Sequence, residues 1–222
     1  MKFLRFLANT HKKNSLSYFL RKRRFEFFKK LLNSIDKPIK ILDVGGTQKF
    51  WEMAELYSEK EVIITILNIE EQIVTFPNFS YVNGSAVDMK AFADKSFDVV
   101  FSNSVIEHLS SKSDQIKMAE EIRRVGKRYW IQTPNFYFPF EPHFLMPFFH
   151  WMPVKFRVLL LMKFDLGWFP KQRDKILAEE IVKSIKLLKK KEIKSLFPDA
   201  KIHTERFLFM VKSYVVYDGW KN

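Results

Sequence analysis

The sequence predicts an α/β fold: a doubly wound, mostly parallel sheet of about seven strands with an antiparallel edge at its C-terminal end. Three observations carry that expectation. Short apolar runs alternate with helical periodicity between residues 39 and 134, the order of a layered α/β domain. The run Glu61–Asn68 is almost continuously β-branched, the pattern of a strand buried on both faces. Ile39–Val44 meets Asp43 near its end and opens into Gly45-Gly46. Paired glycines permit a tight turn and close backbone approach to a ligand, and a helix after such a turn presents free N–H groups to the same place.

The totals set the bounds. At 222 residues, 47% of them apolar, the chain is long enough for one domain with a substantial core. Cysteine is absent, which removes disulfides, thiolate metal ligands and thiol nucleophiles, and fits a reducing compartment. Phe3–Ala8 is broken by Arg5 and runs into His11-Lys12-Lys13, unlike a signal peptide. No apolar run approaches the ~20 residues of a membrane span, and Val158–Met162 stops at Lys163. A cytoplasmic protein is expected. The net charge is +13, and residues 1–40 hold twelve Lys/Arg against Glu26 and Asp36. Such a segment is either a solvated helical face or a surface for an anionic partner. Residues 1–37 are read as a basic amphipathic extension, with peripheral contact to an anionic membrane left open.

Along the chain, Leu16, Phe19, Leu20, Phe27, Leu31 and Ile35 recur at helical spacing over Ser15–Ile35, with Arg21–Arg24 on the other side. Asp36-Lys37-Pro38 stops that helix. A helix is expected over Phe50–Ser58, strands over Phe79–Asn83, Ser96–Asn103 and Lys127–Pro134, and helices from Ile106 and over Ser113–Val125. The segment 136–174 reads as a lid or substrate wall within a domain spanning 38–222. Residues 136–170 hold twelve aromatics, and six of the nine prolines stand at 134, 139, 142, 147, 153 and 170, a density that blocks long regular helix. Asp174–Lys194 returns to helical periodicity, and Ala200–Phe207 with Leu208–Tyr217 predicts a closing antiparallel pair.

The wording at the strand ends resembles the class I S-adenosylmethionine-dependent methyltransferases, and within them the methyltransferase type 11 branch. The clearest stretch is Ser96-Phe97-Asp98-Val99-Val100-Phe101-Ser102-Asn103-Ser104-Val105-Ile106-Glu107-His108-Leu109. It follows that family's Phe-Asp-x-Val strand and Val-x-Glu-His-Leu helix start. The first motif departs from the family's acid and Gly-x-Gly-x-Gly. Either Thr47 and Lys49 replace two glycines, or one residue is deleted and Gly46 serves as the second glycine, the alignment preferred. The resemblance implies a Rossmann-like class I fold and S-adenosylmethionine as cofactor. It implies cofactor contacts from Asp43, Gly45 and Gly46, from Asn68 where a ribose-binding acid is usual, from Ser85 and Asp88 after strand three, and from Ser102 and Asn103 at the end of strand four. Glu70 lies two residues beyond Asn68.

Methyl transfer to a hydroxyl benefits from a general base near neutrality, for which histidine is the first candidate. Of the five histidines, His108 follows strand four and His143 lies in Pro139-Phe140-Glu141-Pro142-His143-Phe144, just past strand five. His143 is the first catalytic candidate, with Glu141 as its orienting partner, and His108 the second. No metal site is expected, because neither histidine has a ligand partner at metal spacing. The resemblance therefore implies a methyltransferase with a small-molecule, sugar or lipid-linked acceptor, most directly at oxygen. The eroded first motif supports a catalytically degenerate binding domain as the alternative. Nucleic acid is not an expected partner, since the basic charge alone argues for it.

Overall fold

The computed structural model describes residues 15–53 and 61–220, and its centre is strand β1 (Ile39–Val44), buried on both faces. Around it lie β2 (Val62–Asn68), β3 (Phe79–Asn83), β4 (Val99–Asn103), β5 (Tyr129–Pro134), β6 (Lys201–Phe207) and β7 (Met210–Asp218). The sheet order is β3-β2-β1-β4-β5-β7-β6. Strands β1 to β5 run parallel, and β7 enters antiparallel between β5 and β6, pairing Tyr129 with Asp218 and Pro134 with Ser213. The carboxyl ends of β1, β4 and β5 therefore share one edge, and β7 begins beside it. The order reverses between β1 and β4, and crevices in open α/β sheets form at such a reversal.

Each face of the sheet is covered by helix. On one side Leu42, Val44, Val100 and Ile131 pack with Met118, Ala119, Ile122 and Val125 of α3 (Lys112–Val125). On the other, Ile41, Ile64, Phe101 and Trp130 meet Phe25, Phe28 and Leu32 of α1 (Leu16–Leu32), with Trp51 of α2 (Gln48–Met53). Phe101 and Trp130 stack at 4.8 Å between ring centroids, and Phe28 caps both at 4.9 and 5.3 Å. Rings of this size bury the largest apolar areas available to side chains, so α1 is held to the sheet by its aromatics.

The buried stripe of α1 differs from the sequence expectation. It runs through Phe25, Phe28, Leu32 and, just past the helix, Ile35, while Phe19 is 63% exposed. Arg24 is not on a solvated side. Its side chain is 8% exposed, donates twice to Glu205 of β6 at 2.6 and 2.7 Å, and reaches Asn103 Oδ1 at 2.8 Å. Ser213 donates to the same carboxylate. A buried guanidinium needs a geometrically matched acid and its remaining donors satisfied, and the middle of α1 supplies one half of that match. Residues 1–14, which include His11 and four of the basic residues, and residues 54–60, which include the last five of the expected Phe50–Ser58 helix, lie outside the described residues.

Three further expectations are corrected. The helix expected from Ile106 is a single 3₁₀ turn, Ile106–His108. The helix expected over Asp174–Lys194 is two, α5 (Lys175–Lys183) and α6 (Lys190–Leu196). Between them the chain is extended, because Lys186 N–H bonds the Glu107 carbonyl and Phe136 N–H bonds the Leu188 carbonyl. Segment 136–174 contains a ten-residue helix, α4 (Val154–Lys163), fitted between Pro153 at its N-cap and Pro170 beyond its end. It also contains a short hairpin pairing Phe140–Glu141 with Met146–Pro147. Phe144, Phe149, Val158, Leu161 and Leu166 join Ala178 and Val182 of α5 in a separate small core.

The ion pair between α1 and β6 generates a stability prediction. Arg24→Met leaves the buried Glu205 carboxylate uncompensated and lowers the unfolding free energy by about 3 kcal/mol, while adding Glu205→Gln restores most of that loss. Urea unfolding of the native chain and both variants measures it. A single variant within about 0.5 kcal/mol of native, the range of ordinary surface changes, would show that the pair is not needed.

Candidate active site at the carboxyl edge of the sheet

The turn after β1 is shaped by what lies beneath it. Gly45 has φ +75°, a left-handed conformation that glycine adopts without strain, and a Cβ there would come within 2.6 Å of Val105 Cγ2. A Cβ on Gly46 would land on the Asp43 carboxylate. Side chains are thus excluded from both positions and the backbone of the turn is left bare. Asp43 itself is buried, with Trp51 Nε1 donating to it at 2.6 Å. Burial pushes its carboxyl up to about 7, with the Trp51 hydrogen bond pulling the other way. Asp43 supports the turn from below and has no exposed surface of its own.

The remaining residues expected at the cofactor are placed as follows. Asn68 Nδ2 donates to the Gly46 carbonyl at 2.9 Å and its Oδ1 accepts from Glu70 N–H at 3.0 Å, so the side chain ties the end of β2 to the glycine turn. Glu70, next along, is exposed. Ser85 and Asp88 close a small bridged turn after β3, with Val87 N–H on Ser85 Oγ at 3.3 Å. Ser102 is buried and gives its hydroxyl to the Val44 carbonyl at 3.0 Å. Asn103 faces the other way, toward Arg24.

Beyond β4 the chain turns through Ser104, at φ +57°, and its hydroxyl reaches Gln132 Oε1 at 2.8 Å. A non-glycine residue in this region is uncommon. The turn delivers Glu107 and His108 toward the 140–147 hairpin, which carries Glu141 and His143. The rings of His108 and His143 meet edge to face, 4.7 Å apart. The two sequence candidates thus come together, although 35 positions separate them.

Glu141 is buried and heavily used. One oxygen lies 2.7 Å from His143 Nδ1, and the other accepts the N–H groups of His143 and Phe144 at 2.8 and 2.6 Å. Sequence reasoning missed Glu107. It is fully buried, accepts from Thr133 Oγ1 on one oxygen at 3.0 Å, and its Oε1 has no hydrogen-bond partner. The adjacency Glu107-His108 was the available signal, since a buried acid beside a histidine is rarely only packing.

The electrostatics of the cluster are uneven. Burial pushes the Glu107 carboxyl up to about 7, with His143 opposing. Burial, then the neighbouring His143, takes His108 down to about 4. Burial also works against charge on His143, yet the Glu141 hydrogen bond and charge, with Glu107, raise it overall. The pair is therefore one neutral imidazole beside one that favours its proton. His150 sits apart on the Phe136 carbonyl, and His203 lies against Phe27.

A second polar group flanks the same edge from the α1 side. Arg24 and Glu205 adjoin Lys212, whose amine burial and then Arg24 bring down to about 8, and Arg21, which burial and then Arg24 bring down to about 10. In the sequence Arg21 and Arg24 were hidden in a basic run.

Asp43 generates a pH prediction. Its folded value, about 7, stands above the ordinary aspartate value of 3.8. The contribution is therefore fully present below pH ~4 and lost as pH rises through ~7, amounting to roughly 2–4 kcal/mol. Asp43→Asn, which mimics the neutral acid, should lose less stability than the native chain between pH 4.5 and 8.5 in denaturant titrations. Parallel stability curves for the two proteins would contradict the assignment.

Residues 48–129 match the methyltransferase domain family. That stretch begins after the glycine turn and takes in β2, β3, β4, the Ile106–His108 turn and α3. Two uncharacterised proteins from two strains of Mycobacterium tuberculosis are each 34% identical over 67 residues, 30% of this chain and 23% of theirs. The match thus spans about a quarter of the length of these curated relatives. Among solved structures, an S-adenosylmethionine-dependent methyltransferase from Archaeoglobus fulgidus superposes with a TM-score of 0.55 at 15% identity, covering 90% of this chain and 98% of that one. One from Methanosarcina mazei gives 0.51 at 14% identity, with 85% and 95% covered. These likenesses establish the fold, and S-adenosylmethionine is the cofactor of proteins so described. The chain thus has the fold of S-adenosylmethionine-dependent methyltransferases of known structure, and its residues 48–129 match the methyltransferase domain family.

Proposed function

We propose that this chain transfers a methyl group from S-adenosylmethionine to a hydroxyl oxygen of a small-molecule, sugar-bearing or lipid-linked acceptor. The observation that carries the reading is the placement of Val105. Its side chain fills the space beneath Gly45, and two residues on the chain enters the Glu107–His108–His143 cluster. The bare glycine turn and the buried acid–imidazole group are therefore neighbours across one loop. A donor lying over Gly45 and Gly46 has the cluster within reach of its reactive end.

The cofactor supplies an electrophilic methyl on a sulfonium. The chain holds and orients. Gly45 and Gly46 offer backbone, and Glu70 is the carboxylate for the ribose hydroxyls, because Asn68 is committed to the Gly46 carbonyl and Glu70 N–H. Holding donor and acceptor collinear supplies much of the acceleration in such a displacement. The cluster of Glu107, His108 and His143, with Glu141 behind it, manages the acceptor proton. Tyr137, Phe148, Trp151, Phe156, Phe164 and Trp168 are exposed on segment 136–174, which supports an acceptor with an apolar portion. Among the described residues no helix is long and apolar enough to cross a membrane.

The second reading, a binding domain without catalysis, is favoured by one observation: both ends of Asn68 are spent on the backbone. Calorimetric titration with S-adenosylhomocysteine, followed by assays of its release with hydroxylated acceptors, separates the two. Methyl transfer predicts micromolar-class binding to the native chain, at least tenfold weaker in Gly46→Ala, and turnover with some acceptor. Binding with no turnover across sugars, phenols and prenyl alcohols would favour the second reading. An absence of binding would overturn both.

A further inference from the structure

We propose that Glu107, His108 and His143 form a binding site for one divalent transition-metal ion. Each offers a ligand atom, and the three atoms lie within 4.8 Å of one another. Nitrogen and carboxylate oxygen bind such ions at about 2.0–2.2 Å, which brings neighbouring donors to roughly 3–4 Å apart. Binding an ion would therefore draw the three donors together. Sequence spacing gave no hint of the site, because Glu107 and His108 are adjacent and His143 arrives from the hairpin beyond β5.

Two independent features point to a ligand. The first is the orphaned Glu107 Oε1, fully buried with no hydrogen-bond partner, an expensive arrangement unless something of opposite charge faces it. The second is the support behind the donors. Glu141 holds His143 Nδ1 at 2.7 Å, leaving Nε2 free; a carboxylate behind a histidine is the usual outer support of a metal ligand. Thr133 holds the other Glu107 oxygen at 3.0 Å, which leaves Oε1 as the ligating atom.

Two imidazoles and one carboxylate favour Mn, Fe, Co or Zn over Mg or Ca. Three protein ligands leave coordination positions open, as in catalytic sites. The ion's role rests on the methyl-transfer reading, although its binding does not. An acceptor hydroxyl at an open position would have its pKa lowered. Its proton leaves to solvent, the oxygen forms a bond to the methyl carbon, and the C–S bond breaks to give neutral S-adenosylhomocysteine.

The test uses the full chain, stripped with chelator and dialysed against Mn²⁺ or Zn²⁺, with bound metal counted by mass spectrometry. S-adenosylhomocysteine titrations run on stripped and loaded protein. One ion per chain is expected, with affinity at least ~10-fold weaker in Glu107→Gln, His108→Asn and Glu141→Gln, each checked for native circular dichroism. Visible absorption of a Co²⁺-loaded sample should report mixed nitrogen and oxygen ligation. Less than ~0.1 ion per chain at saturating metal, or affinity unchanged in folded Glu107→Gln and His108→Asn, overturns the site. If cofactor binds but metal does not, only the metal proposal fails. If metal binds but cofactor does not, the site stands and the methyl-transfer reading fails.

Discussion

The Asp43 carboxyl occupies the space that a side chain at residue 46 would need, and much of the functional edge depends on that steric fact. With the acid held by Trp51 from the α2 side, the turn above it takes the glycine-only path, with bare backbone facing outward. Asn68 then clamps the turn to β2 through the Gly46 carbonyl, and Val105 closes it against the loop after β4. One buried acid thus sets the relation between three strand ends. Because that acid lies in an apolar core, it also makes stability fall with rising pH, a cost located at the site and not in the scaffold.

The same edge is framed by two polar groups of different character. On the α3 side, an acid with an orphaned oxygen faces two imidazoles of unequal proton affinity. On the α1 side, a guanidinium is matched to Glu205 and reaches Asn103, with Arg21 and Lys212 adding positive charge. The first group has the chemistry of proton or metal handling. The second joins α1 to the antiparallel edge and fixes the direction Asn103 faces. The helical extension is therefore part of the site's frame, anchored by Phe25 and Phe28 on the Phe101–Trp130 stack.

Much of this was legible in the residues. Apolar runs located the parallel strands because burial on both faces leaves little freedom of composition, and the closing pair was found although no residue of β6 is fully buried. Val105-Ile106-Glu107-His108-Leu109 pointed to the loop beyond β4, and Glu141 was picked as the partner of His143 from spacing alone. Other features were hidden for identifiable reasons. Arg24 looked solvated because it stands among three other basic residues, and only the arrival of Glu205, 181 positions later, makes its burial tolerable. The break at Ser184–Leu188 was invisible because Ile185 and Leu188 keep helical spacing while their backbone is extended against Asn135 and Phe136. Glu107 escaped notice because its role depends on a residue from a different hairpin. Asn68 was named as a cofactor contact, but sequence does not tell that its side-chain atoms are spent on Gly46 and Glu70.

Hydrogen–deuterium exchange with and without saturating S-adenosylhomocysteine tests the central claim most directly, since it reads where the cofactor lies without needing the acceptor. The account predicts slowed exchange in peptides covering residues 43–50, 68–71 and 103–109, with little change in α4 and α5. Protection confined to other segments, or none at saturating ligand, would contradict it.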